Sequence, residues 1–167
     1  MKTLGARACL VCIGVLGIVL LGLSASAAQA DLLTYAIRQT FATNVTSTLG
    51  GTTIIPIDDA GNTSLTFSAA ASQPVLIAFN GDCLVGTAGT ALAVEILVDG
   101  IPAPGTGASS GGSLLCSSTD GFVAAVRNTV TVVSPGLHTV QVRVAVFSSS
   151  AGTFTAKLRR TVLTVEK

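Results

Sequence analysis

"FVAAVRNTVTVVSPGLHTVQVRVAVF", residues 122–147, decides the fold. Two valine-rich runs flank Ser134, Pro135 and Gly136. In the first, Phe122, Ala124, Val126, Val130 and Val132 share one parity. In the second, His138, Val140, Val142, Val144 and Val146 share one parity, while Thr139, Gln141, Arg143 and Ala145 share the other. A period of two is the side-chain period of a strand. Pro followed by Gly at a turn centre favours type II, so the two runs are expected to form a long hairpin. The second run should turn valine inward and its polar residues outward, with His138 at the margin of the core.

Moving outward from this stretch, the same grammar recurs. "TTIIPI" (52–57) reads as a short edge strand and "DDAGN" (58–62) as its turn. "SLTFSA" (64–69) alternates, with Leu65 and Phe67 on one side. "PVLIAFN" (74–80) is apolar on both faces and should lie centrally, ending at Gly81-Asp82. "ALAVEILV" (91–98) runs into Asp99-Gly100, a strong two-residue hairpin signal. "PAPGTGASSGGS" (102–113) is a Gly/Ser/Pro loop. In the final run, Phe154, Ala156 and Leu158 share a parity that then shifts to Leu163 and Val165, which requires a bulge or face change near Arg159 and Arg160. No helical periodicity is sustained anywhere. The expected fold is all-β, an antiparallel β-sandwich of jelly-roll type with about 8–10 strands.

The first thirty residues follow a different logic. Lys2 and Arg7 precede an apolar run from Ala8 to Leu23, and Ala28-Gln29-Ala30 supplies a small-x-small cleavage pattern. This is the layout of a secretory signal peptide. Residues 1–30 are therefore read as a leader and 31–167 as a single sandwich domain, secreted or extracytoplasmic (periplasm or cell surface), with no membrane span in the mature chain. Cys9 and Cys12 leave with the leader. Cys83 and Cys116 remain, and a lone pair in an exported chain is read as a disulfide.

Composition excludes several functions. Of nine basic side chains, Lys2 and Arg7 lie in the leader, leaving seven against eight acidic ones with no concentrated basic field. A nucleic-acid partner is not expected. So little charge on so apolar a chain leaves solubility to Ser, Thr and Gly, and favours association between copies.

From Thr52 to Glu166 the order of features resembles the tumour-necrosis-factor-like and complement-head-like jelly-roll superfamily, in particular its small bacterial or phage surface members. "PVLIAFNGD", "VEILVDGIPAPGTG", "TVTVVSPGLHTVQVRV" and the closing "RTVLTVEK" carry the resemblance. It implies a jelly roll and a homo-oligomer, specifically a trimer. Better-known members close with aromatic-rich strands around a threefold axis. Here the closing strand has Phe154 and then aliphatic residues, and no functional residue is carried over.

Residues that could carry chemistry have simpler explanations. "GASSG" (107–111) matches a nucleophile-elbow string, and Ser109, Asp120 and His138 follow in hydrolase order. That motif needs a strand-to-helix turn, which this loop does not supply. Asp58, Asp59, Asn62 and Asp82 could offer oxygens to calcium, but Asp and Asn are also what tight turns prefer. His138 is the chain's single histidine, which limits any imidazole-based metal site. "NVT" (44–46) and "NTS" (62–64) match the glycosylation acceptor.

The chain is accordingly read as a non-catalytic module acting in surface structure, adhesion or assembly, with no cofactor and no metal. A carbohydrate-binding module is the alternative, opposed by the absence of Trp and by Tyr35 being the chain's one tyrosine. The expected partner is an extracellular protein or glycan. The residues expected to meet it are Gln141, Arg143, Arg159 and Arg160.

Overall fold

A computed structural model describes residues 31–40, 42–48, 51–106, 114–117, 119–148 and 153–167. Eleven strands are described: β1 (Leu32–Arg38), β2 (Thr43–Thr48), β3 (Thr52–Ile54), β4 (Leu65–Ala69), β5 (Gln73–Val85), β6 (Thr90–Val98), β7 (Ile101–Pro102), β8 (Leu114–Cys116), β9 (Val123–Val133), β10 (Gly136–Ser148) and β11 (Thr153–Glu166). All pair antiparallel. One sheet runs β1-β11-β5-β9, with β2 also on β11. The other runs β3-β10-β6-β7, with β4 also on β10 and β8 on β6. This is an antiparallel β-sandwich of jelly-roll type. Among the described residues no helix is long and apolar enough to cross a membrane.

The core is the aliphatic filling between the two sheets. Val140, Val142, Val144 and Val146 of β10 are at most 1% exposed, as the valine parity required. They meet Val75, Ile77 and Phe79 of β5 and Leu163 and Val165 of β11 within one continuous cluster. His138 continues the β10 row and is buried at its margin, its ring 5.4 Å from that of Phe67.

Two sequence expectations change, and a third point, which the sequence left open, is decided. The first is the hairpin. The turn at Ser134-Pro135 exists, but β9 pairs with β5 in one sheet and β10 pairs with β6 in the other. The turn is a corner between sheets. Alternation shows that a run is a strand but not which strand lies beside it.

The second is the end of β5, which continues through Gly81 and Asp82 to Val85 instead of stopping there. Gly81 is needed where it sits, opposite the bulge of β11. A Cβ on it would lie 2.8 Å from Cγ2 of Thr161. The third is the facing of β9. Its buried residues are Ala125, Thr129 and Val133, while Val126, Val130 and Val132 point to solvent.

The segment after β7 explains that third point. Ala103 N–H donates to the Ile96 carbonyl at 2.8 Å, and Ile96 N–H donates to Thr106 Oγ1 at 3.2 Å. Thr106 Oγ1 lies 2.8 Å from the Ala103 carbonyl, to which it donates. This pinned segment then needs donors for its outward carbonyls. Thr129 Oγ1 gives one to Pro104 at 2.8 Å, and Arg127 gives another to Gly105. Donors at 127 and 129 must face inward, so the alternate parity, with Val126, Val130 and Val132, faces out.

Cys83 and Cys116 are joined, with their Cα atoms 6.2 Å apart. The bridge ties β5 of one sheet to β8 of the other.

Candidate binding surface

The shift of apolar parity in the last strand is a bulge. The register of β11 against β5 breaks between Arg159 and Val162, and Arg160 adopts φ of 50° there. The two guanidiniums converge on one carboxylate. Arg160 Nε donates to Asp82 at 2.6 Å and Arg159 Nε donates to the same oxygen at 3.2 Å. The hydrogen bond from Arg160, reinforced by the charges of both arginines, holds the Asp82 carboxyl below its ordinary range. Arg159 also stacks on Phe122, 3.8 Å from the ring centroid.

Gln141 and Arg143 lie elsewhere, on the outer parity of β10. Arg143 pairs with Glu95, which is 3% exposed. The four residues singled out from sequence therefore fall on opposite faces of the sandwich and do not form one site.

A second cluster went unread in the sequence. Asp99 and Gly100 form the β6–β7 turn with φ of 51° and 79°, the pairing a type I′ hairpin requires. That turn aims the Asp99 carboxylate across the sheet. One oxygen accepts the Thr139 N–H at 2.8 Å, and the other lies 2.7 Å from Nδ1 of His138. Nε2 of His138 lies 2.8 Å from the Ser134 carbonyl. Both ring nitrogens face acceptors, so the imidazolium is favoured. Asp99 first, and the Ser134 carbonyl next, raise the His138 pKa, and His138 in turn lowers that of Asp99.

The pair contributes to the lining of an open cleft of about 380 Å³. Ile101, Pro102 and Pro104 form one wall and Thr131 and Val132 the other. With both nitrogens occupied, His138 has no free position from which to act as a base. The carboxylate that His138 meets is Asp99 and not the Asp120 of the hydrolase order; Ser109 lies outside the described residues, as do residues 1–30, read from the sequence as a leader.

The third feature is a face. On the outer side of the five-stranded sheet, register places Ile37, Val162, Asn80 and Val126 in one cross-strand row. Tyr35, Thr164, Ala78 and Asn128 form the next, and Leu32, Glu166, Leu76 and Val130 the third. Pro74 opposite Val132 completes it. Tyr35, Leu32, Val126, Val130 and Val132 are each more than half exposed. The signal was present in the valine parity of β9, but the sequence does not say that this parity looks outward.

The remaining candidates are accounted for locally. Asp58 accepts from Asn62 N–H at 2.9 Å and from Asn62 Nδ2 at 2.7 Å, which keeps its carboxyl ionised to lower pH than usual. Asp59 accepts from Thr40 N–H at 3.0 Å. Asp82, on β5, is held by Arg159 and Arg160 of β11, so these oxygens do not converge. Among the described residues, no three His, Cys, Asp or Glu side chains are grouped to hold a metal. Of the two glycosylation acceptors, Asn44 is exposed on β2, and Asn62 sits in the turn with its amide engaged by Asp58.

No protein-family model matches the chain, and no curated protein matches it in sequence. Solved structures match in fold. The VP2 subviral particle of infectious bursal disease virus superposes with a TM-score of 0.56 at 12% identity, over 83% of this chain and 33% of that one. The Gt strain of the same virus gives 0.54 at 11% identity over 83% and 33%. Particles described as T=1, derived from that virus, give 0.53 at 13% identity over 83% and 32%. The chain spans about a third of the length of these proteins. The likeness is one of fold.

Proposed function

We propose that the chain is an exported, non-catalytic β-sandwich module that works by presenting a contact surface in surface structure, adhesion or assembly. The observation that carries this reading is the outward apolar face of the five-stranded sheet. Apolar patches of a few hundred Å² on a soluble protein mark interaction sites. Here valine is spent on the solvent side of β9, where Thr or Ser would pair as well and dissolve better. The inter-sheet disulfide accords with an oxidising compartment. The leader-like residues 1–30 accord with export, and residues 31–167 serve as one domain.

In the native host, the chain is expected in the cell-surface or envelope fraction, beginning at Asp31 by N-terminal sequencing. The double variant Val126→Asp/Val130→Asp should move into the medium while keeping its melting temperature. Equal partition of the variant and the parent between the two fractions would overturn the role of this face. Binding to a glycan array that survives this variant would favour the carbohydrate-binding alternative.

A further inference from the structure

Resting on that reading, we infer that the occupant of the apolar face is a second copy of this chain, bound face to face about a twofold axis. The face carries apolar side chains along both of its sides and charges at its two ends. Val126, Val130 and Val132 line it on β9 at one side, with Leu76 next to them on β5, and Tyr35 and Ile37 line it on β1 at the other side. Its rim carries opposite signs at its two ends. At one end lie Lys157, Arg159 and Arg160, the two arginines paired with Asp82. At the other end Glu166 and Asp31 outnumber Lys167, which lies 3.5 Å from Asp31.

Symmetry makes this arrangement self-complementary. A twofold axis in the plane of the face, perpendicular to the strands and near the row Tyr35, Thr164, Ala78 and Asn128, reverses strand direction. It exchanges the Ile37–Val126 row of one copy with the Leu32–Val130 row of the other. The same operation sets the arginine end of each copy over the Glu166 and Asp31 end of its partner. Isologous contact of this kind closes at two copies, because each face is used up by the other. The side chains named span all four strands of the β1-β11-β5-β9 path.

The full 167-residue chain, expressed through its own leader, is purified and weighed by sedimentation equilibrium and native mass spectrometry between 1 and 100 µM. The expected species is a dimer. Val130→Asp and, separately, Val126→Asp should each give a monomer that still unfolds cooperatively, at a melting temperature that no longer rises with protein concentration, since both side chains are already solvated in one copy. Raising salt from 50 to 500 mM should weaken the dimer about ten-fold, as screening of rim charges predicts. Glu166→Arg alone should weaken it, and adding Arg160→Glu should restore part of the loss. A monomer at 100 µM, a trimer, or a dimer indifferent to both aspartates would overturn the inference. If the chain is monomeric yet surface retention still fails in the double aspartate variant, the contact-surface reading stands and only the second copy falls.

Discussion

His138 and Asp99 stand 39 residues apart in sequence and 2.7 Å apart in space, and the link between them fastens the β6–β7 turn to the first residues of β10. It is a contact whose strength depends on pH in a defined direction. Asp99 and the Ser134 carbonyl raise the His138 pKa above its ordinary 6.5. Its stabilisation is complete below 6.5 and is lost as pH rises through the raised folded value. Asp99 is held below its ordinary 3.8, chiefly by His138, so its share is present above 3.8 and lost as pH falls through the lowered folded value. Thermal stability should therefore be better at pH 5.5 than at pH 8.5 by a few degrees. The Asp99 side chain is 47% exposed, which limits the gain to about 0.5 kcal/mol. His138→Gln should flatten this part of the profile, and a variant that keeps the full difference would show that it arises elsewhere.

The turn that carries Asp99 should be sensitive to its second residue for backbone reasons alone. Gly100 has φ of 79°, and a Cβ there would touch nothing within 4 Å. Gly100→Ala should cost about 1 kcal/mol by chemical denaturation, and Gly100→Asn less, because Asn tolerates the left-handed region. An alanine variant as stable as the parent would argue against the type I′ geometry.

The two valine rows should respond in opposite ways to the same change. Val142→Thr places a hydroxyl in the aliphatic filling between the sheets and should cost about 2 kcal/mol. Val130→Thr, on a side chain that is 58% exposed, should stay within about 0.5 kcal/mol of the parent. Equal losses at both positions would mean that β9 has its valine face buried.

Reducing the Cys83–Cys116 bridge opens a loop with a sequence separation of 33 and should lower stability by about 3 to 4 kcal/mol in the chain-entropy picture. Guanidinium melts with and without reductant, compared with Cys83→Ala/Cys116→Ala, measure this. If the double alanine variant melts with the oxidised parent, the bridge is not closed in the native protein.

What the sequence made legible was local and periodic. The valine parity of β10, the Asp99-Gly100 turn and the bulge at Arg159 and Arg160 all follow from spacing or from a backbone requirement that particular residues satisfy. What it hid was relational. The facing of β9 depends on two loop carbonyls at Pro104 and Gly105 that only the folded segment presents to Arg127 and Thr129. The His138–Asp99 link needs β6 and β10 to be neighbours, which no interval between those residues discloses. Gln141, Arg143, Arg159 and Arg160 were chosen as polar residues among valines, and they were separated because β10 and β11 belong to different sheets.

The sheet order has a last consequence, for the time at which the fold becomes reachable. The strands β1 and β2 pair with β11, and β3 and β4 pair with β10. The four strands that leave the ribosome first thus have partners only in the last two to appear. Contacts so distant in sequence make folding slow. The middle strands can pair earlier, β5 with β9 and β6 with β7 and β8, but both sheets are completed only when β10 and β11 are available. The topology acts as its own delay.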